Sequence, residues 1–204
     1  MKILLIILFV AFHQITFGQR SKKEIFPPVS PEKTNRTKYS LKQRLSFFPF
    51  NLTTQIKIVS FDKRLDSSLS NPDNPFIYEL PLKADSICSD KISETIALNL
   101  YQIDTITDIL YNTCYRWTIY ETSKNGCYKP HNAILFYDKN DKLLAYIELC
   151  FDCNRIKYSD DKIVQFDDCN NAIDDLRKYF KKLGLKTGEE DFINPNSTKQ
   201  RVLK

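Results

Sequence analysis

Cys127, His131, Cys150 and Cys153 are the residues of this 204-residue chain whose types and spacing best suit chemistry. They spell C-x3-H followed by C-x2-C, a sulfur and imidazole set that zinc accepts. Such a site carries a geometric condition. In an extended strand Cys127 and His131 stand about 13 Å apart at roughly 3.3 Å per residue, so shared coordination requires a bend at Lys129 and Pro130. A second chemistry is thiol exchange through Cys150-Phe151-Asp152-Cys153. Oxidoreductases of that kind place the pair at a helix start, where backbone N–H groups lower the thiol pKa. Here the pair closes a strand and Asp152 adds local negative charge, so a thiolate gains little help. A third is a nucleophile with a base, which would have to use His131, the only histidine other than His13. A lone histidine beside a strand is more often a structural or surface residue.

The bland alternative to all three is cross-linking. Six cysteines, Cys88, Cys114, Cys127, Cys150, Cys153 and Cys169, follow the amino-terminal segment, an even number that suits a disulfide framework in an oxidising compartment. Pairing is narrowed by geometry. Two apolar, β-forming runs, Asn132 to Tyr137 and Leu143 to Leu149, flank the polar stretch Asp138 to Lys142 and predict a hairpin. If its turn centres near Asn140, cross-strand partners have numbers summing to about 280, with Cα atoms roughly 4.5 to 5.5 Å apart. Ile134 then faces Tyr146, Asn132 faces Glu148, and the ladder continues to Cys127 opposite Cys153. That separation suits a disulfide. Cys127 to Cys153 is the leading pairing and Cys127 to Cys150 the next.

Other chemistries lack their parts. No G-x-G-x-x-G, Walker loop, H-E-x-x-H or G-x-S-x-G occurs, and beyond Gly18 only Gly126, Gly184 and Gly188 are present, too few for a phosphate-cradling loop. The acidic pairs Asp160 with Asp161 and Asp174 with Asp175 read as solvated loop and helix-surface residues. Basic residues number 30 against 25 acidic ones, interspersed except at the ends. That balance argues against a nucleic-acid partner.

The elements that must position the cysteines follow from periodicity. Gln55 to Phe61, Phe76 to Leu80, Glu94 to Leu98 and Trp117 to Thr122 read as strands, with Asn71, Pro72, Asn74 and Pro75 as a break after the first. Both faces of Asn132 to Tyr137 are apolar, which places that strand inside a sheet. Ile103, Ile106, Leu110 and Tyr111 give Gln102 to Tyr111 one buried helical stripe. Ile173, Leu176, Tyr179, Phe180 and Leu183 do the same for Asn170 to Leu183, with Asp167 and Asp168 before it, Lys181 and Lys182 in its last turn and Gly184 as its stop. The order predicts an α+β fold: a single domain, mainly an antiparallel β-sheet with a central hairpin and two packed helices.

The ends read differently. Met1, Lys2 and the apolar run Ile3 to Phe12, followed by the small residues Thr16 and Gly18, look like a signal peptide over 1–18, cleaved after Gly18. Its removal takes away only Lys2, leaving 29 basic residues, 25 acidic ones and a formal charge of +4. Residues 19–50 are rich in Pro, Lys and Ser and read as a tether, whose Phe47, Phe48 and Phe50 have reason to dock on the domain. The α+β domain then spans 51–186 and a polar tail 187–204. After residue 18 no apolar stretch approaches the roughly 20 residues of a membrane-spanning helix.

The string Cys127-Tyr-Lys-Pro-His131-Asn-Ala-Ile-Leu-Phe-Tyr-Asp138, with Tyr146-Ile-Glu-Leu-Cys150-Phe-Asp-Cys153, resembles a motif of uncharacterised exported bacterial proteins. In that family a C-[FY]-x-P-[RH] segment, an apolar strand and a C-F-x-C segment recur. The resemblance covers about residues 94 to 185 and implies bacterial export and a shared small domain, with no activity attached. Cys88, Cys114 and Cys169 lie outside it. The expectation is therefore an exported, periplasmic or extracellular, non-enzymatic domain, cross-linked by cysteines at the end of a hairpin, with no resident cofactor. A cell-envelope protein is the partner class that fits. The alternative is a thiol redox or zinc protein using Cys127, Cys150 and Cys153.

Overall fold

Hydrophobic alternation on two successive runs builds the centre of the molecule. The computed structural model describes residues 32–33, 37–62, 64–65, 76–83, 86–114, 117–118, 128–165, 170–188 and 191, all within one compact unit spanning 31–204. Five strands, β1 (Gln55–Phe61), β2 (Ile92–Ala97), β3 (Asn132–Tyr137), β4 (Leu143–Cys150) and β5 (Arg155–Tyr158), form one sheet in the order β5-β4-β3-β1-β2. Every neighbouring pair is antiparallel. The helices are α1 (Leu41–Leu45), α2 (Leu100–Asn112) and α3 (Asn170–Lys182). The expected α+β class holds, with β3 at the middle of the sheet.

The two faces of the sheet are unequal. Ile56, Ile58, Ile134, Phe136, Ala145, Ile147 and Leu149 face α2 and α3, meeting Ile106, Leu110, Ala172, Ile173, Leu176 and Phe180 in the main core. On the other face Val59, Phe61, Ala133 and Leu135 pack with Leu80, and Leu82 and Ile87 rest against them. Among the described residues three two-residue ladders lie outside the sheet: 32–33 with 117–118, 64–65 with 76–77, and 82–83 with 86–87. The expected strand at Phe76 to Leu80 is thus only the rung Phe76–Ile77. The strands expected at Glu94 to Leu98 and Trp117 to Thr122 are found at Ile92–Ala97 and Trp117–Thr118, with the rest of the latter outside the described residues.

The hairpin register differs from expectation by one residue. Ile147 faces Ile134 and Leu149 faces Asn132, because the pairing shifts between Leu143 and Ala145. A bulge inserts one residue on one strand and moves every later partner. Asp138 closes the turn: its carboxylate accepts from the N–H groups of Asn140 at 2.8 Å and Lys142 at 3.0 Å. These two N–H groups hold that carboxyl below its ordinary range.

Caps fix the helices. Ser40 with Gln43 and Asn99 with Gln102 form reciprocal capping boxes at the starts of α1 and α2. At the end of α3 Gly184 has φ +98°, Gly184 N–H bonds to Lys181 O and Leu185 N–H bonds to Phe180 O. This is the Schellman arrangement, and it turns the buried Leu185 back onto the core. The predicted leading acids, Asp167 and Asp168, lie outside the described residues.

The folded region begins before residue 51. Phe50 is buried, and Phe47 and Phe48 pack on the main core. Arg44 of α1 is buried too, its guanidinium donating to Thr107 Oγ1 at 3.1 Å and Tyr39 O at 2.7 Å and pairing with Asp104 and Asp108 of α2. Part of the expected tether therefore belongs to the domain. At the other end Thr187 and Gly188 are buried as well. No helix among the described residues is long and apolar enough to cross a membrane.

Candidate functional site

The open end of the hairpin carries the residues singled out in the sequence. β4 ends at Cys150, residues 151–154 turn, and β5 returns with Arg155 opposite Cys150. Asn154 takes φ 52°, a left-handed conformation that Asn tolerates better than most residues. The turn brings Cys150 and Cys153 together with Cα atoms 5.2 Å apart, and their sulfurs are bonded. This corrects the expected pairing of Cys127 with Cys153 or Cys150. The expectation assumed two straight arms, whereas the tight turn after β4 makes the two sulfurs partners of each other. Cys127 itself lies outside the described residues.

Each part of the C-F-D-C turn is committed to packing. Phe151 is buried, its ring meeting that of Phe180 edge-on at 5.4 Å. The Arg177 guanidinium lies 5.9 Å from the Phe151 ring and pairs with Asp152. A Cβ at Gly188 would come within 2.7 Å of the Asp152 carboxylate, which would have to turn aside to admit it. Both sulfurs are buried, Cys150 at 1% and Cys153 at 0% exposure. The Lys129 N–H donates to Cys153 Sγ at 3.2 Å, and Lys129 O lies 3.2 Å from Cys150 Sγ. A disulfide sulfur has no hydrogen to donate, so the second is a contact rather than a hydrogen bond.

His131 is 3% exposed and extends the β1–β3 ladder by one rung. Phe61 N–H bonds to His131 O at 2.9 Å, and His131 Nδ1 lies 3.2 Å from Phe61 O, which assigns the proton to Nδ1. Its ring meets Tyr78 edge-on, and Lys129 Nζ sits 5.1 Å from the Tyr78 ring centre. Among the described residues, which do not include Cys127, no three His, Cys, Asp or Glu side chains converge. While Cys150 and Cys153 are bonded to each other, neither is the thiolate that zinc binds. Cys88 is a half-buried free thiol. Cys114 is buried at the end of α2 and disulfide-bonded, and Cys169 lies outside the described residues.

Glu148 is the residue that sequence reasoning missed. It is 1% exposed on the same face as Leu135, yet both carboxylate oxygens are engaged. Oε1 accepts from Leu80 N–H at 2.7 Å and Oε2 from Tyr128 OH at 3.0 Å, with Lys157 Nζ at 3.9 Å. A buried carboxylate without such partners would cost several kcal/mol. Burial and then the Glu148 carboxylate push the Tyr128 phenol well above its ordinary range. Lys157 is shifted upward: desolvation works against this, and the carboxylates of Glu148 and Glu79 outweigh it. The signal was a lone charge in an apolar strand run, which requires a buried partner. The arrangement pins the Tyr78 to Leu80 segment across the sheet.

No protein-family model, curated protein or solved structure matches the chain.

Proposed function

We propose that the chain is an exported, non-enzymatic interaction domain that works in the cell envelope or outside the cell, with the Cys150–Cys153 disulfide as a structural staple. One observation carries this reading: both sulfurs are buried beneath the Lys129 main chain. Thiol exchange requires in-line attack on an accessible sulfur, and here a partner thiolate has no path to either one. Both Glu148 oxygens and His131 Nδ1 are engaged by backbone and phenol groups. Export is supported by the basic start and apolar run of residues 1–18 and by a disulfide that suits an oxidising compartment. The modest, interspersed charge favours a protein partner over nucleic acid.

A second reading, a thiol redox or zinc protein using Cys127, Cys150 and Cys153, has one observation in its favour. The Lys129 N–H aimed at Cys153 Sγ would stabilise a thiolate there once the bond opened. Mass-spectrometric mapping of the purified protein, alkylated under denaturing conditions without reductant, separates the two when metal content is assayed in the same sample. The staple predicts a linked Cys150–Cys153 peptide, an alkylated Cys88 and metal well below one ion per chain. Stoichiometric zinc, or alkylated Cys150 and Cys153, would establish the second reading in its place.

A further inference from the structure

Cys114 is buried in the main core and disulfide-bonded, and the cysteines that could be its partner reduce to two. Cys150 and Cys153 are bonded to each other, and Cys88 is free. Cys127 and Cys169 remain. Both lie outside the described residues, but each adjoins a described residue, from which covalent geometry allows its Cα to stand only about 3.8 Å away.

Cys127 precedes Tyr128, at the end of the sheet where β4 finishes. Tyr128 OH donates to Glu148 Oε2, and Lys129 N–H to Cys153 Sγ. Glu148 shares the face of Leu135, away from α2 and α3. Cys114 belongs to the opposite face and the opposite end. It follows α2, whose Tyr111 ring stands 6.1 Å from that of Phe50, itself 5.0 Å from Phe136. Phe136 faces Ala145, and from Ala145 to Cys150 strand β4 rises about 17 Å. A disulfide tolerates Cα atoms only about 4.4 to 6.8 Å apart.

Cys169 precedes Asn170, the first residue of α3, and Ala172 and Ile173 pack in the same core as Cys114. The connection into α3 leaves β5 at the hairpin-turn end of the sheet. There Ser159 N–H bonds to Tyr146 O, Tyr146 N–H bonds to Ser159 Oγ, and Ile163 enters that core too. Farther along α3, Tyr179 OH donates to Gln102 O in the first turn of α2. From that contact Cys114 lies about 18 Å along one helix and Cys169 about 15 Å back along the other, at 1.5 Å per residue. Both lengths lead to the hairpin-turn end.

We infer that Cys114 is bonded to Cys169, a covalent clamp that joins the end of α2 to the start of α3, and that Cys127, like Cys88, carries a thiol. The bond takes two electrons and two protons from the two thiols. A dithiol protein in its disulfide form accepts them and is left reduced. The clamp closes a far longer loop than the Cys150–Cys153 bond, whose sequence separation is 3, so it restricts the unfolded chain more. The inference goes beyond the exported, non-catalytic reading and stands or falls without reference to export or to the role of the staple.

The test uses the purified, oxidised full chain, alkylated with N-ethylmaleimide in urea at acidic pH so that sulfurs do not exchange. Trypsin places Cys114, Cys127 and Cys169 on three different peptides, and mass spectrometry reads which are joined. The expected map holds the Cys114 peptide linked to the Cys169 peptide, with Cys88 and Cys127 alkylated. A Cys114 to Cys127 link with alkylated Cys169 overturns the inference, as does alkylated Cys114. Cys169→Ser should leave Cys114 open to alkylation and lower the urea midpoint, while Cys127→Ser should do neither. The reverse pattern in these two variants, or a Cys169→Ser midpoint equal to that of the parent chain, also overturns it. The Cys150–Cys153 peptide is read separately in the same map, so failure of the clamp and failure of the staple are distinguishable.

Discussion

Removing the Phe151 side chain should destabilise the domain more than opening the disulfide that flanks it. The bond joins residues with a sequence separation of 3, so it restricts the unfolded chain little. The chain-entropy relation gives about 2 kcal/mol for so short a loop. Phe151 is buried against Phe180 in the main core, and Phe→Ala at such a site costs about 3–5 kcal/mol. Of that, about 0.5–1.5 kcal/mol belongs to the edge-on ring pair. Cys→Ala variants also lose buried sulfur volume, so the bond term must be isolated. The summed costs of Cys150→Ala and Cys153→Ala, less that of the double variant, give the bond alone if the two volume losses add. Urea unfolding followed by Trp117 fluorescence and far-UV circular dichroism supplies all four free energies. A bond term larger than the Phe151→Ala cost, or a Phe151→Ala cost under about 1 kcal/mol, would refute the reasoning. The turn would then be held by its cross-link and not by docking on α3.

Glu148→Ala should cost about 3–5 kcal/mol in urea unfolding, because it strands the Leu80 N–H and Tyr128 OH in a buried setting. Glu148→Gln, which keeps an acceptor, should cost less, and equal costs would show that the carboxylate geometry is unimportant. The Tyr128 phenol has a folded-state pKa raised by burial and by Glu148, so folding favours its protonated form. That contribution is complete below about pH 10, where the unfolded phenol is also protonated, and declines as pH rises above it. Tyr128→Phe should flatten the alkaline fall in stability measured by urea midpoints from about pH 9 to 11.5, and an unchanged slope would contradict the assignment. Gly184→Ala should cost about 1–2 kcal/mol from the backbone alone, since nothing lies within 4 Å of the added Cβ while φ is +98°. A neutral substitution there would show that the end of α3 relaxes.

Long, strongly patterned segments were legible in the amino-acid sequence. The alternation of Gln55 to Phe61, the two-faced apolar run of Asn132 to Tyr137 and the stripe through Ile173, Leu176 and Phe180 each recur as β1, β3 and α3. The features that were not legible share a physical cause, in that tertiary contacts decide them. Helix α1 has five residues, too few for a periodic stripe or for stability alone, and it exists because Arg44 reaches α2. The register shift near Leu143 is hidden because adjacent apolar residues give no sign of which one is extra. The sharp turn at Asn154, where a non-glycine residue takes φ 52°, brings Cys150 and Cys153 to each other. Glu148 is a lone charge in an apolar strand run, and only the approach of Tyr128 and the Leu80 N–H shows which partners accompany its burial.

The most direct measurement is the rate at which dithiothreitol opens the Cys150–Cys153 bond in the native protein and in the urea-unfolded protein, followed by quenched alkylation and mass spectrometry. A buried staple predicts reduction slower by about a hundredfold or more in the native state, since opening must wait on local unfolding. Comparable rates in both states would mean that a thiolate reaches the sulfurs in the folded domain. The hairpin end would then be a site of exchange chemistry.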